Sequence, residues 1–349
     1  MLASLLTILT GAALVAIAVR SAVRTFVLPR GASDPVTGLV FRSLRRLFRL
    51  RARAERSYEG RDRVMAMYAP VSLVCLPVAW LILVITGYLL IFWALGIRPW
   101  REALLMSGSS LFTLGFHRPE SLLATILTFS EAVIGLGLIA LLVSYLPTMY
   151  TAFSRREQVV ALLEVRAGSP PSAVEMIERA HRLDWVAHLD EQFLVWEQWF
   201  VDLEESHTSL AALVFFRSPQ PDRSWVTAGG AVLDAAALVS STLDRPRAPG
   251  AELCIRAGYI ALRRVAAYFR IPFDADPAPT DPISITRAEF DAACEHLASV
   301  GVPLKPDRDQ AWRDFAGWRV NYDSVLLDLA ALTMAPYAPW SSDRVRQAQ

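Results

Sequence analysis

The apolar residues of this chain are not spread evenly. Its first 154 positions hold three runs without a charged side chain: residues 1–19, 64–97 and 132–154. Each reaches the roughly 20 residues that a helix needs to cross a bilayer core. They predict membrane helices over 1–19, about 67–95 and about 122–150. Between the second and third lies "REALLMSGSSLF" (101–112), with the length and mixed polarity of a helix of about three turns. After Arg155 no such run recurs. There "PSAVEMIERAHRL", "LDEQFLVWEQWFVDLEE", "HTSLAALVFFRS", "AGGAVLDAAALVSSTL", "GAELCIRAGYIALRRVAAYF", "TRAEFDAACEHLASVG" and "DRDQAWRDFAGWRVNYDSVLLDLAALTM" place apolar residues at helical spacing. Breaks fall at "SPQPDRS", "DRPRAPG" and "DADPAPTDP". No period-2 run marks a strand. The expected fold is all-α: three transmembrane helices with a re-entrant helix, then an all-α cytosolic domain.

Composition agrees, with 54% apolar residues and a mean hydropathy of +0.33. Residues 1–19 lack the positive n-region of a secretory signal, and "AVRSAVRTF" puts arginine where cleavage would fall. A retained helix is expected.

Charge sets the orientation. Residues 20–64 hold twelve arginines against four acids, and short basic loops stay cytoplasmic. The N-terminus then lies outside, the connection 96–121 is extracellular, and everything from 151 onward is cytosolic. Arg155 and Arg156 mark the same exit. Within the basic loop, "LVFRSLRRLFRLRARAERSY" sets Leu39, Phe41, Leu44, Leu47, Phe48 and Leu50 among arginines. That pattern predicts an interfacial helix on anionic lipid headgroups, with residues 42–63 as the contact. A basic stretch between two membrane spans is poorly placed for nucleic acid. The expected division is 1–19 (first helix), 20–64 (basic loop), 65–156 (membrane hairpin) and 157–349 (cytosolic domain).

The stretch "SGSSLFTLGFHRPE" (107–120) carries the candidate chemistry. A helix that enters a membrane and turns back is tolerated only where protein or water surrounds it. Its C-terminal partial charge favours a cation, and a following glycine-bearing strand can aim backbone carbonyls at an ion.

Here residues 65–156 resemble the potassium-channel superfamily in its minimal form, two helices around a pore loop. The resemblance rests on Ser109 and Ser110 ahead of Thr113-Leu114-Gly115-Phe116, where the family has T-V-G-Y. It implies a homotetramer, with carbonyls of Thr113, Leu114 and Gly115 as selectivity filter and Phe116 packed outward. No cofactor is implied beyond a permeating monovalent cation, potassium first. Gly137, with Gly135 beside it, falls where the family's inner helix often carries a hinge, and Pro147 falls near the cytoplasmic end. His117 stands where the family has a second filter glycine, and Arg118 and Pro119 follow in place of an acid. That departure leaves ion choice open between potassium-selective and non-selective conduction.

Glu131, inside a span, is a functional candidate by position. Behind the filter it would accept hydrogen bonds from Ser107, Ser109, Thr113 or His117. Facing the cavity, it would concentrate cations.

Other chemistry is sparse. Cys75, Cys254 and Cys294 lack metal-ligand spacing, and neither a P-loop nor a Rossmann fingerprint occurs. His181 with His188, and Glu204, Glu205 and His207, are weak metal candidates. No catalytic triad is defensible, so an enzyme is not expected. Trp185, Trp196, Trp199, Trp312 and Trp318 read as packing anchors. The second span has no arginine ladder, which disfavours voltage sensing. Arginine outnumbers lysine 34 to 1, a usage that fits a GC-rich bacterium and hence its plasma membrane. A second function, a membrane-anchored sensor or scaffold with a non-conducting loop, competes with the channel.

Overall fold

The structure, a computed structural model, describes residues 2–27, 34–247 and 249–344. Arg30 and the rest of 28–33 in the basic loop lie outside the described residues, as do Met1, Ala248 and 345–349. Among the described residues the chain is helical, and its one extended pairing is the isolated bridge Leu243–Leu304. It divides into two units, 1–151 and 152–349.

The first unit begins with α1 (Leu2–Phe26) and continues with α2 (Pro35–Arg53), α3 (Tyr58–Ala66), α4 (Tyr68–Ala94) and α5 (Trp100–Leu111). α6 (Leu122–Ala167) starts here and runs on into the second unit. Three segments are long and apolar enough to cross a membrane: α1, the run Tyr58–Ala94, and α6. This is an all-α protein with membrane-spanning character.

Two helices outrun their sequence-derived ends. α1 continues past residue 19 because its last turns have partners. Ala18 and Ala22 are buried, Trp80 Nε1 donates to Ser21 Oγ at 2.8 Å, and Ser21 Oγ donates to Asp34 at 2.5 Å. Deeper in the pair, a side chain on Gly11 would strike the Gly87 backbone, and one on Gly87 would sit 2.7 Å from the Gly11 carbonyl. Small residues thus let the two backbones touch. α6 likewise runs past 150, and past the expected division at 156/157, because Arg156 is an interior residue. Pro147 lies inside this continuous helix.

α2 is held on one side. Asp34 caps it, accepting from Thr37 N at 2.9 Å. The rings of Phe41 and Phe48 pack at 6.2 and 6.0 Å from that of Tyr68, whose hydroxyl donates to the Phe41 carbonyl at 3.2 Å. Leu39, Leu47 and Leu50 stay exposed on the helix.

The second unit surrounds α9 (Trp225–Thr242), which is buried along nearly its whole length. A helix apolar on every side belongs at a core's centre. α7 (Ala173–Arg182), α8 (Leu189–Ser209), α10 (Pro249–Tyr268), α11 (Arg287–Ser299), α12 (Arg308–Arg319) and α13 (Asp323–Thr333) make up the rest. The acid within α9, Asp234, accepts from Arg319 and, at 2.8 Å, from Tyr322 Oη. Arg319 Nε also donates to Asp323 at 2.7 Å.

Two segments depart from the helical reading. "HTSLAALVFFRS" ends α8 and then tightens into a 3₁₀ turn, Ala211–Phe215. Its Leu213 and Phe216 carbonyls accept from Arg156 instead of continuing a helix. "DRDQAWRDFAGWRVNYDSVLLDLAALTM" forms two helices, not one. Asn321 Nδ2 donates to the Gly317 carbonyl at 3.0 Å and closes α12 before α13 begins.

Candidate functional site

α5 sits between two spans, and each of its inward-facing polar groups has a partner there. Ser107 and Ser109 are buried. Ser107 Oγ lies 2.5 Å from Glu131 Oε1 on α6 and 3.2 Å from the Ile85 carbonyl on α4. Ser110 Oγ donates to the Thr128 carbonyl at 2.5 Å. The next residue, Leu111, packs against Gly135 so closely that a side chain added at Gly135 would strike the Leu111 carbonyl and lie 3.0 Å from its Cδ1. α5 is therefore bolted to α6 at three successive levels and to α4 at one.

The helix ends at Leu111 and the chain leaves through two left-handed residues, Thr113 (φ 54°) and Gly115 (φ 71°). Glycine takes this conformation freely. A β-branched threonine does not, so Thr113 stores strain. Leu114 N donates to the Ser109 carbonyl at 2.8 Å, and Gly115 N reaches the same oxygen at 3.5 Å. Among the described residues no donor reaches the carbonyls of Thr113, Leu114, Gly115 or Phe116. Leu114 and Phe116 are themselves exposed, 61% and 60%. The stretch is exposed in the single chain, so these four carbonyls are open to whatever surrounds the loop.

His117 closes the stretch. Its backbone is not left-handed, so the glycine of the T-V-G-Y-G pattern is not required at this position by local φ. Its N–H donates to Ser109 Oγ at 3.2 Å, and its Nε2 stands 3.7 Å from Glu102 in the first turn of α5.

Glu131 is fully buried, with Oε2 lacking a hydrogen-bond partner. Of the four donors expected for it, the structure brings Ser107. Ser109 instead serves His117, and the Thr113 hydroxyl turns to the Phe112 carbonyl at 2.8 Å. Gly135 and Gly137 are not equivalent: Gly135 is the close-approach point, and Gly137 has no atom within 4 Å of a would-be side chain.

Sequence reasoning missed a second constellation. Arg156, buried in the second unit, donates to the Leu213 carbonyl at 2.9 Å and the Phe216 carbonyl at 2.7 Å. It lies 3.1 Å from His207 Nε2 and pairs with Glu157 at 2.8 Å. Because Nε2 accepts from a guanidinium, Nδ1 carries the proton and donates to Ser206 Oγ at 3.0 Å. Burial first, and the Arg156 charge second, hold the His207 imidazole well below its ordinary range. A lone acid within apolar α9 was the sequence signal for the Asp234–Arg319 pair; Arg156 had none.

No group of three or more His, Cys, Asp or Glu among the described residues could hold a metal. Glu204 pairs with Arg264, and His188 with Glu191 at 3.1 Å. No family model, curated protein or solved structure matches the chain, so the function must be argued from this geometry.

Proposed function

We propose that this chain is the subunit of a homotetrameric cation channel, with Thr113–Phe116 as its filter and potassium as the favoured ion. The carrying observation is the row of unpaired carbonyls at Thr113, Leu114, Gly115 and Phe116, which follows a short helix braced between two apolar helices. One loop cannot surround an ion, and four around an axis can. Exposure of Leu114 and Phe116 in the single chain fits a loop completed by its neighbours. The resemblance to the potassium-channel superfamily points the same way.

In this reading Glu131 and Ser107 brace the filter from behind, Gly135 sets the spacing of α5 and α6, and His117 ties the outer end of the filter to α5. The N-terminus lies outside and the second unit in the cytoplasm of a plasma membrane. The second unit supports assembly or gating. Exposed Leu39, Leu47 and Leu50 of α2, among its arginines, rest on anionic lipid headgroups.

Purified protein in liposomes should conduct potassium, measured by flux, and Gly115→Asp should abolish the flux without changing oligomer mass. Absence of flux for any monovalent cation from intact oligomers would refute the channel and favour the anchored sensor or scaffold.

A further inference from the structure

The buried charges around Arg319 in the second unit do not balance. Arg319 donates through Nε to Asp323 at 2.7 Å and through Nη1 to Asp234. Its third arm, Nη2, goes to the Trp340 carbonyl at 2.5 Å. All three side chains are buried, so two carboxylates share one guanidinium. Their other partners are neutral. Tyr322 Oη donates to Asp234 at 2.8 Å, and Ser284 donates to Asp323 through N at 2.8 Å and Oγ at 2.7 Å. Buried charges are ordinarily paired. This cluster holds one negative charge too many.

The excess sits at a cavity. Both bonds to Asp234 end on Oδ1. Among the described residues no donor reaches Oδ2, and that atom is not sealed inside the protein. Asp234 lines a cavity of about 250 Å³, whose apolar walls are Ala173 and Val174 of α7, Ala292 and Ala293 of α11, and Pro339 and Trp340. Ala292 is exposed, so the cavity opens to solvent on the α11 side. Glu289 also lines it, but Arg344 and Thr286 occupy both of its oxygens. The start of α7 is likewise answered within the chain, by its own Ser172 and Glu175. What remains is one free carboxylate oxygen in an apolar pocket. Among the described residues no group of His, Cys, Asp or Glu could hold a metal ion there.

We propose that this cavity binds a small organic cation, an ammonium that donates to Asp234 Oδ2, completes the charge of the Asp234–Arg319–Asp323 cluster and lays its carbon body on Val174, Ala293 and Trp340. Apolar walls suit that body, as in other small-molecule sites, while a single placed polar group fixes its orientation. The proposal stands apart from the channel reading, because it concerns the second unit alone and holds whether or not the first conducts.

Thermal unfolding of the full chain in detergent tests it. Methyl-, propyl- and benzylammonium chlorides are titrated in turn, with potassium chloride at equal ionic strength, propanol and benzyl alcohol as controls. At least one ammonium should raise the midpoint in a saturable way, as a ligand of the folded state does, and the controls should not. Asp234→Asn should lose the shift. That change also disturbs Arg319, so Ala293→Leu is the second variant: it fills the cavity, leaves the charged cluster intact and should lose the shift too. A shift retained in Ala293→Leu would overturn the proposal by placing the ion elsewhere, and equal shifts with an ammonium and its alcohol would overturn it by removing the role of charge. No shift with any of the three ions would also overturn it. A proton on Asp234, whose carboxyl burial pushes up, would then balance the cluster.

Discussion

Gly135 and Gly137 lie two residues apart on α6, yet replacing each by alanine should have opposite effects. At Gly135 the new methyl falls inside van der Waals contact with the Leu111 carbonyl and 3.0 Å from Leu111 Cδ1. A backbone carbonyl cannot rotate aside, so α5 and α6 must part locally by about 1 Å. Overpacking costs about 1–3 kcal/mol, and a clash with rigid backbone falls at the upper end, about 2–3 kcal/mol, against about 1 kcal/mol gained from alanine's helix propensity. A net loss of about 1–2 kcal/mol follows. Gly137 has no atom within 4 Å, so alanine there brings only the propensity gain, about 1 kcal/mol. The separation between the two variants is therefore about 2–3 kcal/mol.

Thermal unfolding of the detergent-solubilised chain, followed by tryptophan fluorescence at one scan rate, reads this as an ordering of apparent midpoints: Gly137→Ala highest, wild type next, Gly135→Ala lowest. The parting of α5 from α6 also shifts Ser107 from Glu131 and Ser110 from the Thr128 carbonyl, so Gly135→Ala should lose cation flux in liposomes. Equal midpoints for the two variants, or a Gly135→Ala protein as stable as wild type, would refute the close-packed contact.

Three further outcomes are expected. Glu131→Ala should lower stability by about 1 kcal/mol, because Ser107 loses its 2.5 Å hydrogen bond and keeps only the longer one to the Ile85 carbonyl, while Glu131→Gln keeps an acceptor oxygen and should stay near wild type; equal losses in denaturant unfolding would remove the role of that hydrogen bond. Arg319→Ala strands Asp234 and Asp323 in the core, so it should cost about 3–5 kcal/mol, and a shift of under 1 kcal/mol in denaturant titration would contradict it. His207 has its folded pKa below its unfolded one, so the unfolded state takes up the proton first as pH falls. Its contribution is complete above about pH 6.5 and declines below that by about 1 kcal/mol per pH unit; His207→Gln should flatten the slope of stability between pH 7 and 5, and an unchanged slope would show that the ring titrates in the folded state.

The membrane helices were legible because bilayer thickness imposes a length on an uncharged run, and that length is visible in one dimension. Their ends were less so. Ser21 and Ala22 extend α1 through partners at Trp80 and Asp34, which sequence distance hides. The stretch around Thr113 was legible for the opposite reason: its helix, its turn and its carbonyls are contiguous, so spacing alone suggests them. What braces it was only partly legible, since Glu131 advertises itself as an acid in a span while Gly135 does not advertise what it touches. Arg155 and Arg156 show the limit most clearly. Side by side they read as one signal, the basic edge of a membrane span. In the fold one is exposed and the other is buried on Leu213, Phe216, His207 and Glu157. A helix turns about 100° between neighbours, so adjacent identical residues on α6 face different surroundings. Charge counting sums over that rotation, and so it could not see that Arg156 is an interior residue.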